Sequence, residues 1–131
     1  YIQPMKYFSG NIEQLTLDNN FFRKVIYTCA HSQLVLMSLN PDEEIGLEVH
    51  DHVDQFFRIE QGKAKFIVGD SEVMAEAEHA VIVPAGTHHN VINIGSEDLK
   101  LYTIYSPANH KDGTVHKTKA EAMQAEKNGG D

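Results

Sequence analysis

The chain has 131 residues, 41% of them apolar and 23% charged, which fits one globular domain around a single core. Its formal net charge of −8 argues against nucleic acid or an anionic membrane as main partner, because phosphate binding needs a basic patch. The single cysteine, Cys29, excludes an intramolecular disulfide framework and points to a reducing, cytoplasmic setting, and no apolar run approaches the roughly 20 residues that cross a bilayer.

Residues 1–20 hold one weakly amphipathic piece, GNIEQLTL, read as an arm that packs on the main body or on a partner subunit. From 21 to 108 the chain breaks into short runs rich in β-branched and aromatic residues. Strands are expected at Phe22–Thr28, Gln33–Leu39, Gly46–His50, Gln55–Glu60, Ala64–Val68, Glu72–Ala75, Ala80–Val83, His89–Asn93 and Leu99–Tyr105. Turn signals separate them: LNPDEE, EQG, VGD, PAG and IGSED. Many short strands at near-regular spacing predict an all-β sandwich or barrel. Residues 109–131 read most economically as a solvated linker and a final helix, the alternative being that 109–119 folds over the barrel mouth. TKAE, from Thr118 to Glu121, is a capping box, and NGG at 128–130 ends the helix.

The chemistry-bearing stretch is VHDHVDQFF, from Val49 to Phe57. On a strand, residues i and i+2 share a face, so His50 and His52 are expected to aim two imidazoles at one point. Neutral imidazoles suit a transition metal. The second stretch is PAGTHHN, where adjacent His88 and His89 face opposite ways, so one of them joins the pair. His31, His79, His110 and His116 have no ligand spacing and read as structural or exposed.

These residues resemble the cupin superfamily, in its small single-domain form. The first cupin motif runs G-x5-H-x-H-x3,4-E-x6-G, and the second runs G-x5-P-x-G-x2-H-x3-N. Pro84, Gly86, His89 and Asn93 match the second, with Glu78 at its leading glycine. His50, His52 and Gly62 match the first, with Gln55 at the acidic position. Gly46 lies too near His50, and only two residues separate His52 from Gln55, which demands a tight turn around Val53 and Asp54. The resemblance spans residues 40–105.

It implies an antiparallel double-stranded β-helix, a jelly-roll barrel with a short C-terminal helix, assembled as a homodimer. It also implies a divalent transition metal (Zn, Ni, Mn or Fe) held by His50, His52, His89 and Gln55, unless Gln55 bonds a bound water instead. Such a shell is neutral and leaves the ion strongly Lewis-acidic. That suits isomerase or lyase chemistry on a small carbohydrate-related substrate, as in the cupin domain of type II mannose-6-phosphate isomerases and in pectin-degradation cupins, which the chain resembles. A non-haem metal oxygenase of dioxygenase type and a non-catalytic sugar or metabolite module stay open. Phe57, Arg58 and Tyr102 are expected to line the pocket, with Arg58 holding a carboxylate or phosphate. No general base stands out.

Overall fold

The expected β-rich runs form strands, and the turn residues between them set the pairing. A computed structural model describes residues 6–129. In chain order the elements are α1 (Ile12–Asp18), β1 (Arg23–Thr28), β2 (Gln33–Leu39), β3 (Asp54–Gln61), β4 (Lys63–Val68) and β5 (Ser71–Glu76). There follow β6 (Ala80–Val83), β7 (His89–Asn93), β8 (Leu99–Ser106), β9 (Val115–His116) and α2 (Lys119–Lys127). Every strand pairing is antiparallel. One sheet runs β6-β3-β8-β2-β1-β9, and the other runs β5-β4-β7.

The two sheets enclose a core that includes Val25, Val35, Met37, Phe57, Ile59, Phe66, Val91 and Leu101. Each such side chain contributes roughly 1.5–3 kcal/mol by leaving water. On β3 the alternation is clean: Gln55, Phe57 and Ile59 are buried, while Phe56 and Arg58 are half-exposed. The strand ends on a bulge between Ile59 and Gln61, after which Gly62 turns the chain at φ 94°. A Cβ on Gly62 would meet the Asp98 carbonyl oxygen at 3.1 Å, so both the dihedral and the space favour glycine.

Two segments, Gly46–His50 and 109–116, differ from the sequence expectation. Gly46–His50 is not a strand; it touches β7 only through the isolated bridges Glu44–Ile92 and Glu48–His89. The N-terminal piece forms α1, capped by Asn11, whose side chain accepts from Gln14 N. The amine of buried Lys100 donates to Asn20 Oδ1 at 2.7 Å, tying the chain after α1 to β8.

Residues 109–116 are not a solvated linker. Gln33 Oε1 accepts from the backbone amides of Asn109 (3.1 Å) and His110 (3.0 Å), and Gln33 Nε2 donates to the His110 carbonyl (2.7 Å). The chain then adds β9 to the edge of β1, pairing His116 with Arg23. The final helix starts where the capping box places it, with Thr118 Oγ1 accepting from Glu121 N. Ala122 is its one buried residue, so α2 lies on the surface.

Candidate metal centre

The two chemistry-bearing stretches meet because the backbone ties them together. Gly86 N donates to the His50 carbonyl at 2.8 Å, and Ala85 N donates to Asp54 Oδ1 at 2.8 Å. Glu48 and His89 exchange backbone hydrogen bonds in both directions, at 2.8 and 2.9 Å. The PAG turn is thereby bolted to the loop that precedes β3.

Glu48, His50 and His89 form a group whose ligating atoms all lie within 4.8 Å of one another. The His50 and His89 ring centroids are 5.5 Å apart, and His50 Nε2 lies 3.8 Å from Glu48 Oε1. That last distance is too long for a hydrogen bond. The rings are buttressed by the inner face of the large sheet: Tyr105 stands edge-on to His50 at 5.9 Å, and Phe57 stands edge-on to His89 at 6.1 Å.

The site's donor atoms are oriented by their other ends. His89 Nδ1 lies 2.9 Å from the Thr87 carbonyl oxygen, which can only accept, so Nδ1 carries the hydrogen and Nε2 the lone pair. Thr103 Oγ1 donates to the Phe56 carbonyl at 2.8 Å and accepts from Gln55 Nε2 at 2.9 Å. That fixes the amide and leaves Gln55 Oε1 as the free end. Gln55 pairs with Tyr105 and Phe57 with Thr103 in the β3–β8 register, so Gln55 shares the face that carries both buttressing rings. His50 Nε2, His89 Nε2 and Gln55 Oε1 are all buried without a hydrogen-bond partner. Buried polar atoms are almost always paired, so the two orphaned ring nitrogens beside the Glu48 carboxylate fit a cation, and Gln55 Oε1 is a third orphan on the adjoining inner face. The ligating atoms brought within 4.8 Å of one another belong to two imidazoles and one carboxylate.

Electrostatics agree with an ionised Glu48. Burial pushes its carboxyl upward, but the neighbouring His50 ring and the charges of His50, Arg23 and His89 outweigh that and hold it below the usual value.

His52 corrects the sequence expectation. Asp51 and His52 form an exposed turn, so the i, i+2 argument fails and His52 points away from the cluster. The spacing shows why. Counting back from Gly62, six residues lead to Gln55, four more to His50, one more to Glu48 and five more to Asp42. The first motif thus sits two residues earlier than the HxH pair suggests, with Glu48 in place of its first histidine. The link to Gln55 is then of ordinary length. Asp42 and Glu78 stand where the two motifs have their leading glycines, and both adopt positive φ, 71° and 75°. The backbone keeps the glycine conformation without the glycine.

Two pocket expectations also fail. Arg58 and Tyr102 are cross-strand partners on the outer face, opposite to Gln55 and Phe57. Arg58 is paired with Glu60 at 3.0 Å, and Tyr102 stacks near Phe56 at 6.1 Å. Phe57 is inside, as expected. His88 is exposed. Sequence reasoning missed Glu48, Thr103 and His110, whose Nε2 lies 3.2 Å from the hydroxyl of Tyr105 beside His50. Surface clefts lie elsewhere, near Met74 and Ile94 and near Leu15 and Ile26, and no ligating cluster of described residues lines them.

The profile of the cupin domain matches residues 35–105. The uncharacterized protein YrkC of Bacillus subtilis (strain 168) is 50% identical over 127 residues, spanning 92% of this chain and 68% of its own. The crystal structure of BH2720 from Bacillus halodurans superposes with a TM-score of 0.89 at 45% identity, covering 90% of this chain and 94% of that one. KdgF from a Halomonas species shares the fold alone, with a TM-score of 0.63 at 17% identity over 66% of this chain and 78% of its own.

Proposed function

This chain belongs to the cupin domain family, and from that premise we propose that it is a metal-dependent enzyme acting on a small oxygen-rich substrate. The observation that carries this reading is the convergence of Glu48, His50 and His89, with buried, unpartnered ring nitrogens on both histidines and an unpartnered Gln55 Oε1 on the adjoining inner face. A divalent ion held there supplies Lewis acidity toward a carbonyl or hydroxyl oxygen. Carbohydrate-related isomerase or lyase chemistry remains the preferred class. The carboxylate tempers the expectation of a neutral shell, because Glu48 offsets part of the ion's charge.

The chain's own residues supply the rest. Thr87 and Thr103 preset the ligand atoms before any ion arrives, which lowers the ordering cost of binding. Phe57 and Phe66, in edge contact at 5.2 Å, give the floor of the site an apolar wall. Tyr105 and His110 form a hydrogen-bonded pair beside His50, well placed to hold or pass a proton at the Tyr105 hydroxyl.

One observation favours a second reading. Two histidines and one carboxylate are the donor set that non-haem iron oxygenases use with open positions for oxygen. Metal analysis of dialysed protein tests the shared premise. About one ion per chain is expected, lost in His50→Ala and His89→Ala; a wild-type chain that retains none of Zn, Ni, Mn or Fe overturns it. Oxygen uptake by the iron-loaded protein then selects the oxygenase reading. Anaerobic conversion of keto- and hydroxy-sugars, followed by proton NMR, selects the isomerase or lyase reading.

A further inference from the structure

The most unusual charge inside the barrel belongs to Arg23. It alternates with Val25 on β1, and its cross-strand partner Met37 is fully buried, so Arg23 faces the core. It is 3% exposed, yet among the described residues no carboxylate oxygen lies within ion-pair distance of it. A buried arginine is ordinarily paired, because an isolated buried charge costs several kcal/mol.

The one hydrogen-bond partner of the guanidinium among the described residues is the ring of His116, with Arg23 Nη1 3.2 Å from His116 Nδ1. Arginine can only donate, so Nδ1 accepts and the ring hydrogen sits on Nε2. That Nε2–H is itself buried and without an acceptor, as is Arg23 Nε–H. His116 is 6% exposed. The pair therefore presents buried donors and no acceptor. The orphan atoms of the metal centre show the reverse pattern, lone pairs without donors. The first pattern calls for an anion, as the second calls for a cation.

The guanidinium edge left over is informative. Nη1 is taken by His116, and Nε with Nη2 forms the side-on fork that receives the two oxygens of a carboxylate in parallel. Arg23 lies on the same inward face as the metal centre: the register carries it through Met37 and Leu101 to Ile59, which alternates with the buried Phe57 and Gln55 along β3. Arg58, the sequence candidate for this role, is outside and already paired.

We propose that Arg23 and His116 form a carboxylate subsite inside the barrel, which binds the acid group of the substrate whose reacting oxygens approach Glu48, His50, Gln55 and His89. The substrate assignment rests on the metal-centre reading; the subsite itself does not. It predicts a small sugar acid or keto acid rather than a neutral sugar. One guanidinium fork and one imidazole donor match a monoanionic carboxylate better than a phosphate dianion, which usually recruits several cations.

The test uses the full chain without metal, so that its failure is separate from a failure of the metal reading. Arg23 Nε–H and His116 Nε2–H are followed by nitrogen–proton NMR while sodium acetate, sodium phosphate and sodium chloride are each titrated in. Acetate is expected to shift both resonances saturably, and chloride at equal ionic strength is expected not to. Phosphate should bind at least about tenfold more weakly. Arg23→Lys, which keeps the charge and removes the fork, should weaken acetate binding about tenfold or more. No saturable shift in the wild type, an equal shift with chloride, or phosphate binding as tight as acetate overturns the proposal. The wild-type titration decides the matter even where the variant does not fold, and unchanged acetate affinity in a folded Arg23→Lys also overturns it.

Discussion

Gln55 Nε2 donates to Thr103 Oγ1 at 2.9 Å, and because Thr103 spends its own hydrogen on the Phe56 carbonyl, the amide has one orientation. The oxygen end is therefore left unpartnered on the inner face, where the proposed function makes it a metal ligand oriented by a residue that touches no metal. Thr103→Val removes the acceptor while keeping the shape, orphans Gln55 Nε2 and frees the amide to turn. Metal affinity should fall about 10- to 100-fold, the usual effect of losing a residue that orients a ligand. Thr103→Ser should stay within about threefold of wild type. Competition against a chelator of known affinity measures both, and a valine variant with wild-type affinity removes Gln55 from the shell.

Glu48 and His52 separate the two ways of placing the first motif. Glu48 lies within 4.8 Å of the ligating atoms of His50 and His89, whereas His52 is exposed on a turn. Elemental analysis should find full metal content in His52→Ala and strongly reduced retention after dialysis in Glu48→Ala. Glu48→Gln keeps an oxygen and loses the charge, so it should weaken retention by at least about tenfold. The opposite ranking, with His52 essential and Glu48 dispensable, would restore the three-histidine shell.

The barrel was legible because its strands are short runs of β-branched residues between glycine, proline and acidic turns; Gln33–Leu39, Ala80–Val83 and His89–Asn93 match to the residue. The PAG turn and His89 were equally plain. His52 misled because HxH is a strand argument, and the strand begins only at Asp54. The signal for Glu48 was present in the spacing from Gly62, but a histidine pair draws attention more strongly than a count. Arg58 and Tyr102 were misplaced because phase along β3 is set by which face meets the core, and Phe56 and Phe57 are equally apolar. Arg23 carries no local mark at all. Only the closure of β9 onto β1 brings His116 to it.

The charge on Glu48 should show in the pH dependence of stability. Its folded pKa lies below the ordinary 4.5, the attraction of His50, Arg23 and His89 having outweighed the upward push of burial. A depressed carboxyl pKa stabilises the fold above the unfolded value and loses that contribution as pH falls through the folded value. Urea unfolding of the metal-free wild type and Glu48→Gln should therefore differ by an amount that shrinks as pH falls from about 5 to about 3. A difference that is constant across that range, or that grows in acid, contradicts the assignment.

Asn93 closes the second motif and has a structural task that can be measured separately. It is 1% exposed, and its side chain bridges three segments: Nδ2 donates to the Leu39 carbonyl (3.0 Å) and the Glu97 carbonyl (2.9 Å), while Oδ1 accepts from Gly95 N (2.9 Å). Asn93→Ala orphans two carbonyls and one amide in a site with little room for water. At about 1–3 kcal/mol per buried unsatisfied group, discounted for the Glu97 and Gly95 groups that lie nearer solvent, the loss should be about 3 kcal/mol. Asn93→Asp should cost at least as much, because a carboxylate accepts only and would face two carbonyl oxygens. Thermal or denaturant unfolding of the metal-free chains reads this directly. Variants that still fold should bind metal with near-wild-type affinity, since Asn93 lies at the far end of β7 from His89. Loss of metal binding in a fully folded Asn93→Ala would instead place Asn93 in the metal centre.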